Sequence, residues 1–216
     1  MAAKKKADAP TLGHIPAPNF QQRTFLIEGT APYVQCKFSQ KVKDDLEKKH
    51  KEGSTAVGKK KREPRDFEEE YREAMHRGQR GEHGIPASAF RNAMISACRT
   101  VNFQMTRAKL AVFIETDIFD KADGTPLIPI TSGNPTMAMH NTRTQTGVVN
   151  LRARPMWSPG WQAKVTIRWD ADMFSANDVQ NLLTRVGMQV GVGEGRPDSK
   201  QSTGMGWGLF RVVSVD

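Results

Sequence analysis

The chain has 216 residues and 24.1 kDa, 38% hydrophobic and 25% charged, which makes one domain with a buried core and something appended. No window approaches the roughly 20 unbroken apolar residues of a membrane span, and the start MAAKKKADAP lacks the apolar stretch of a secretory leader, so a soluble cytoplasmic protein is expected. Lys and Arg number 32 against 23 Asp and Glu, giving +9 and a pI near 9.7, which suits a polyanionic partner and equally serves solubility. Cys36 and Cys98 stand alone, which excludes a disulfide framework or a Cys-rich zinc motif.

Residues 1–22 carry Lys4, Lys5 and Lys6 and then Pro10, Pro16 and Pro18 without apolar period, and read as a disordered basic arm ahead of a domain over 23–216. From Arg23 to Ser39 the residues alternate in two pieces around Gly29-Thr30-Ala31-Pro32, as in a strand with a bend. The next stretch, 40–82, holds Lys59-Lys60-Lys61-Arg62 and Glu68-Glu69-Glu70 and few large apolar residues, so it cannot build a core. It is expected to be a surface insertion with exposed helices over 42–51 and 66–77 around a loop at 53–58.

Pro86 suits a helix first turn, and Phe90, Ala93, Met94, Ala97, Cys98 and Val101 follow at helical spacing, with Arg91 and Arg99 on the other face. Lys109 to Glu115 is dense in β-formers and reads as a buried strand; 127–130 is a second short piece, and 132–146, with His140 and Arg143, has no period and reads as a long loop. Two alternating strands then meet at Ser158-Pro159-Gly160 in an expected hairpin that pairs Trp157 with Trp161 and Leu151 with Ile167 on a core face. On the opposite face this register sets Arg154 across from Lys164, Arg152 from Thr166 and Asn150 from Arg168. Like charges across a strand pair repel, so a cationic stripe without an interleaved acid points to an anionic ligand; acids supplied from elsewhere in the fold are the alternative.

Ser175 and Asp178 form a capping box, and Val179, Leu182, Leu183, Val186 and Val190 continue an amphipathic helix. It runs into the glycine-rich stretch from Gly191 to Gly208, and 209–215 alternates as a closing strand. The order of elements predicts an α+β fold, a ferredoxin-like or RRM-like βαββαβ antiparallel sheet with two helices on one face and a charged helical insertion. Its other face would be free, as in sheets that receive single strands. In the glycine-rich loop, backbone N–H groups uncovered by side chains, with Arg196 and Lys200 between the two Gly clusters, suit a phosphate backbone. The spacing is neither a Walker A loop nor a Rossmann fingerprint. Trp157, Trp161 and Trp169 fall on the core face, whereas Trp207 either stacks on a base or anchors the loop.

Ile85-Pro86-Ala87-Ser88-Ala89-Phe90-Arg91 is similar to the segment opening the first helix of the RAMP superfamily, the RRM-like proteins of CRISPR effector complexes. The Gly191 to Gly208 loop looks like that superfamily's glycine-rich loop, and Ile27-Glu28-Gly29-Thr30-Ala31-Pro32 resembles the first strand of its Cas7-type backbone subunits; Asn92 departs, standing where a small Gly is usual. The resemblance implies binding of single-stranded nucleic acid, RNA first, by a homo-oligomer or ribonucleoprotein subunit repeated along the strand. By position Arg91, Gly193, Gly195, Arg196 and Lys200 would be contacts, joined by Arg143, Arg152, Arg154, Lys164, Arg168 and Trp207 from the reading of the residues. A phage structural or assembly protein, or a single-stranded DNA-binding protein, is the alternative. A metal-independent endoribonuclease is the second, with His83 and His140 as candidate bases because some RAMP proteins cleave RNA with a histidine. No HExxH, compact metal-spaced group or GxSxG elbow occurs, so neither a metal nor a cofactor is expected.

Overall fold

The computed structural model describes residues 16–37, 44, 47, 50, 51, 65–143, 149–199 and 205–216. The expected basic arm up to residue 15, the loop 53–58, the cluster 59–62 and Lys200 lie outside them.

Alternation of Phe25 and Ile27 with polar neighbours produces β1, Phe20–Gly29, which begins three residues before the expected start. After the turn comes β2, Tyr33–Val34, and beyond the insertion α1, Phe67–Glu73, capped by the Asp66 carboxylate on the Glu69 amide. Then follow β3, Gly84–Pro86, and α2, Ala87–Ala97, with Pro86 as its N-cap residue. Phe90, Met94, Ala97 and Cys98 are fully buried as their spacing predicts, but Val101 is exposed. The expected strand 109–115 is instead split: α3, Met105–Ala111, runs directly into β4, Val112–Glu115. Ala108 and Ala111 pack one turn of helix into the core there, and the β-branched run takes over only from Val112.

β5, Leu127–Ser132, precedes β6, Thr136–Arg143, which corrects the expectation of a long loop over 132–146. Methionine, threonine and asparagine show no inward period there because both flanks of β6 are not buried: Met137 and Met139 are exposed, and only pairing with the next strand fixes it. β7, Val149–Trp157, and β8, Gln162–Asp170, follow, then α4, Ala176–Arg185, with its capping box intact, a π-helical turn at Val186–Val190, and β9, Phe210–Val215.

The result is α+β with antiparallel sheets. In the larger sheet β8 is central: β1 lies along one edge, and β4 and β5 share the other, β4 at 166–169 and β5 at 162–163; β9 lies outside β1 and β3 outside β5. A second sheet has the order β2-β7-β6. The α2 and α4 helices cover the face of the larger sheet that presents Phe25, Ile27, Ala163, Val165, Ile167 and Trp169, all fully buried.

This arrangement overturns the expected hairpin. Pro159 and Gly160 do turn, but the chain leaves one sheet and enters the other, and β7 and β8 do not pair; Gly160 N–H instead donates to Gly29 O at 2.8 Å, and Gly29 N–H to Trp161 O at 2.7 Å. Each strand pairs elsewhere along nearly its whole length, β8 with β1 and β7 with β6. The inward faces are nevertheless as expected, with Trp157, Trp161 and Trp169 at most 1% exposed, except that Leu151 is 42% exposed. Among the described residues no helix is long and apolar enough to cross a membrane.

Candidate nucleic-acid interface

The cationic stripe does not exist as a stripe, because its members sit on different sheets. Arg152 and Arg154 project from β7, where their register partners in β6 are His140 and Ala138. Arg154 Nε donates to Glu194 at 2.8 Å, its Nη1 reaches Glu70 at 3.4 Å, and Arg152 Nη1 donates to the same Glu70 oxygen at 2.9 Å. The helix α1 thus docks on β7 through Glu70, and Arg65 Nη1 adds a hydrogen bond to Leu151 O at 2.7 Å. Arg168, on β8, pairs with Glu115 at 2.5 Å and lies between the rings of Phe20 and Phe113, at 4.5 and 4.8 Å from their centroids. Its neighbour two positions away in the pleat, Lys164, is exposed with no ion-pair partner among the described residues. Acids from distant segments therefore neutralise three of the four predicted cations, and of the four Lys164 stands without one among the described residues.

Arg91 is structural as well: its guanidinium donates to Val112 O at 3.0 Å and to Lys109 O, closing the junction between α3 and β4. Arg143 belongs to β6, and nothing further is assigned to its side chain. The expected base candidate His83 stacks edge-on against Trp157 at 5.5 Å between ring centroids, with burial pulling its pKa down.

In its described residues, 191–199 and 205–208, the glycine-rich loop is packed rather than open. A Cβ on Gly193 would lie 2.5 Å from Val34 O and 2.6 Å from the Tyr33 ring, and its φ is +82°, so glycine alone lets the loop lie flat on β2. Several loop amides are already spent: Glu194 N–H donates to Val34 O, Val192 N–H to Gly208 O, Asp198 N–H to Val190 O and Gly208 N–H to Pro32 O. This corrects the expectation of amides left uncovered for phosphates along the whole run. Both loop acids hold the loop down, Glu194 on Arg154 and Asp198 on Ser96 and Arg99 of the α2 end. Arg196 folds back, its Nη1 donating to Gly193 O at 3.0 Å, and Gly195 lies beneath the Trp207 ring.

What packing creates instead is a cleft of about 770 Å³ between this loop, the second sheet and α2. Ser88, Asn92 and Ser96, four residues apart on α2, form one polar wall; Gly193, Arg196 and Lys109 contribute on other sides. His140 and Trp207 line it with their rings in tilted contact, centroids 4.6 Å apart and planes at 54°, and His140 Nε2 is buried with no hydrogen-bond partner among the described residues. The floor includes His76, whose Nδ1 lies 2.7 Å from Asp120 Oδ2. Lys37 Nζ donates to that oxygen at 2.6 Å and the Ala122 amide to the other at 2.8 Å. The fully satisfied Gln35 amide clamps the His76 backbone, accepting from His76 N–H at 2.8 Å while donating to Tyr33 Oη and Gly84 O.

Burial pushes the His76 imidazole below its ordinary value despite the carboxylate beside it. Burial pushes the Asp120 carboxyl up, but hydrogen bonds from Lys37, the Ala122 amide and His76 outweigh it and hold the group below the usual range. His76, Asp120 and Asp123 bring three ligand-type atoms within 4.8 Å, a group that sequence spacing hid; the Lys37 ammonium, 2.6 Å from Asp120 and 3.8 Å from Asp123, is the cation they hold. Of the predicted contacts, the structure brings Gly193, Gly195, Arg196, Trp207 and His140 to one cleft. Ser88, Asn92, Lys109 and His76 escaped sequence reasoning; the four-residue polar spacing on α2 was the one signal that pointed to any of them.

No protein-family profile and no curated protein matches this sequence. Among solved structures, the fold is similar to a chain in a cryo-EM structure of the type III-B Cmr-beta complex bound to cognate target RNA, with a TM-score of 0.50 and 8% identity. The alignment covers 92% of this chain and 60% of that one, so this chain spans about 60% of the other's length. At that identity the likeness is one of fold.

Proposed function

We propose that the chain is a non-catalytic, RAMP-like module that binds single-stranded nucleic acid, RNA first, and works as a repeated protomer in a ribonucleoprotein. The carrying observation is the His140–Trp207 ring contact in the wall of a cleft that also holds Arg196 and Lys109. An aromatic ledge beside cations is what a base and its phosphate require, and it gives affinity with little sequence readout. The run of antiparallel neighbours β9, β1, β8 and β4 supports a ferredoxin-like reading of the sheet, and the likeness in fold to a chain from an RNA-bound complex supports the function.

Fluorescence anisotropy with labelled single-stranded RNA, and DNA of the same sequence beside it, tests the reading. Trp207→Ala should weaken binding by the stacking of one base, about 1–3 kcal/mol. Arg196→Ala with Lys200→Ala should lower affinity and flatten the salt dependence. Wild-type protein that leaves both strands unbound at moderate salt would return the chain to the phage structural or assembly class.

A second reading, a metal-independent endoribonuclease, is favoured by one observation: Asp120 fixes His76 Nδ1, and no partner for Nε2 occurs among the described residues, so a base stands ready on the cleft floor. His76 here takes the place of His83, which is wedged against Trp157, and of His140, which has no orienting carboxylate. Labelled RNA incubated with EDTA should yield discrete cuts that His76→Ala abolishes; intact RNA removes this reading.

A further inference from the structure

We infer that Glu194 is an internal stand-in for a ligand phosphate, and that a phosphodiester of the bound strand displaces it from Arg154. The inference rests on the nucleic-acid reading and adds to it which cation the strand must win and from what. Arg154 is 11% exposed at its side chain and shared by two carboxylates, Glu70 and Glu194, while among the described residues Arg152 pairs with Glu70 alone. Two guanidiniums and two carboxylates leave the cluster neutral, so a strand gains nothing from Arg154 until one carboxylate leaves.

Glu194 is the one able to leave. Its side chain is 27% exposed against 17% for Glu70, and it lines the cleft, whereas Glu70 belongs to α1 and ties that helix to β7 through both arginines. Its backbone is pinned independently by the hydrogen bond to Val34 O at 2.9 Å, so the side chain can swing out while the loop stays seated on β2. Asp198 is a poorer candidate, because it takes the Ser96 hydroxyl as well as Arg99 and anchors the loop's far end. A guanidinium released by Glu194 would meet a phosphate with two parallel N–H donors, the geometry that a single carboxylate oxygen on Nε leaves unused. His140, the register partner of Arg152, has no partner for its buried Nε2 among the described residues, one more polar group that a ligand in the cleft would satisfy.

The test compares Glu194→Gln with Asp117→Asn, an exposed acid outside the cleft that makes the same change in net charge. Anisotropy with labelled single-stranded RNA should show Glu194→Gln binding about 3- to 10-fold tighter than wild type, because the strand no longer has to win Arg154 from a carboxylate. Asp117→Asn should stay near wild type. In an Arg154→Gln background, Glu194→Gln should lose its effect, since the cation it guards is gone. If Arg154→Gln fails to fold by circular dichroism, Arg154→Lys, which keeps the charge but not the paired N–H donors, replaces it in the cycle, with the gain reduced. Wild type that binds while Glu194→Gln binds no better, or gains no more than Asp117→Asn, overturns the displacement and leaves the binding function standing. Failure of wild type and Glu194→Gln alike to bind any strand removes both.

Discussion

A Cβ placed on Gly208 would lie 1.7 Å from the carbonyl oxygen of Val192. The two residues cross backbone to backbone, with Val192 N–H donating to Gly208 O at 3.0 Å, and this crossing shuts the glycine-rich loop at the start of β9. The φ of Gly208 is +70°, and that of Gly206, with no described residue within 4 Å of its Cβ position, is +68°. Gly206→Ala should therefore cost about 1–2 kcal/mol, the left-handed conformation alone. Gly208→Ala should cost at least about 3 kcal/mol, because backbone must also move. Urea denaturation of the two variants checks the difference, and equal midpoints would show that the crossing is not tight.

Asp120→Asn removes the negative charge that Lys37 and His76 share at a carboxylate whose side chain is 1% exposed. Breaking a buried pair from one side strands the other, so a loss of about 3–5 kcal/mol is expected. Thermal and urea unfolding measure it, and a loss below about 1 kcal/mol would mean that water reaches the cluster.

The pH dependence follows from the histidines. His76, His83 and His140 all have pKa values lowered from the ordinary 6.5, burial being the first cause for each. The folded state thus binds fewer protons than the unfolded chain, and this stability is complete above about pH 6.5 and lost as pH falls below it. Melting temperature should decline from pH 7 toward pH 5. His76→Gln should flatten part of that decline; an unchanged slope would place the effect on the other two.

Ser175→Ala removes the hydroxyl half of the capping box, in which the Ser175 hydroxyl accepts from Asp178 N–H at 3.2 Å and donates to the Asp178 carboxylate at 2.7 Å, and leaves the Ser175 backbone N–H on that carboxylate at 3.0 Å. A loss of about 1 kcal/mol is expected from chemical denaturation. The RNA affinity should be unaffected, because α4 is absent from the cleft.

Local signals carried far in this chain. The helices α2 and α4 were legible because a 3.6-residue period and a capping box are properties of contiguous residues, and Phe90, Met94, Val179 and Leu183 are buried where that period placed them. The inward faces of β7 and β8 were legible for the same reason, and with them the three core tryptophans. The α3 turn was not, because Lys109 to Glu115 is rich in strand formers and only the burial of Ala108 and Ala111 against the rest of the core decides for helix there.

The sequence alone settled periodicity, caps, inward faces and the excess of positive charge, each of which depends on neighbours along the chain. Partnership was decided by tertiary structure: β7 and β8 went to different sheets, Glu70 reached Arg152 across 82 positions, and Glu194 reached Arg154 across 40. A cation's availability depends on which carboxylate stands beside it, at a few ångströms and regardless of separation in sequence. For that reason the predicted stripe dissolved into internal ion pairs while the cleft under Trp207 emerged from segments that no local pattern joins.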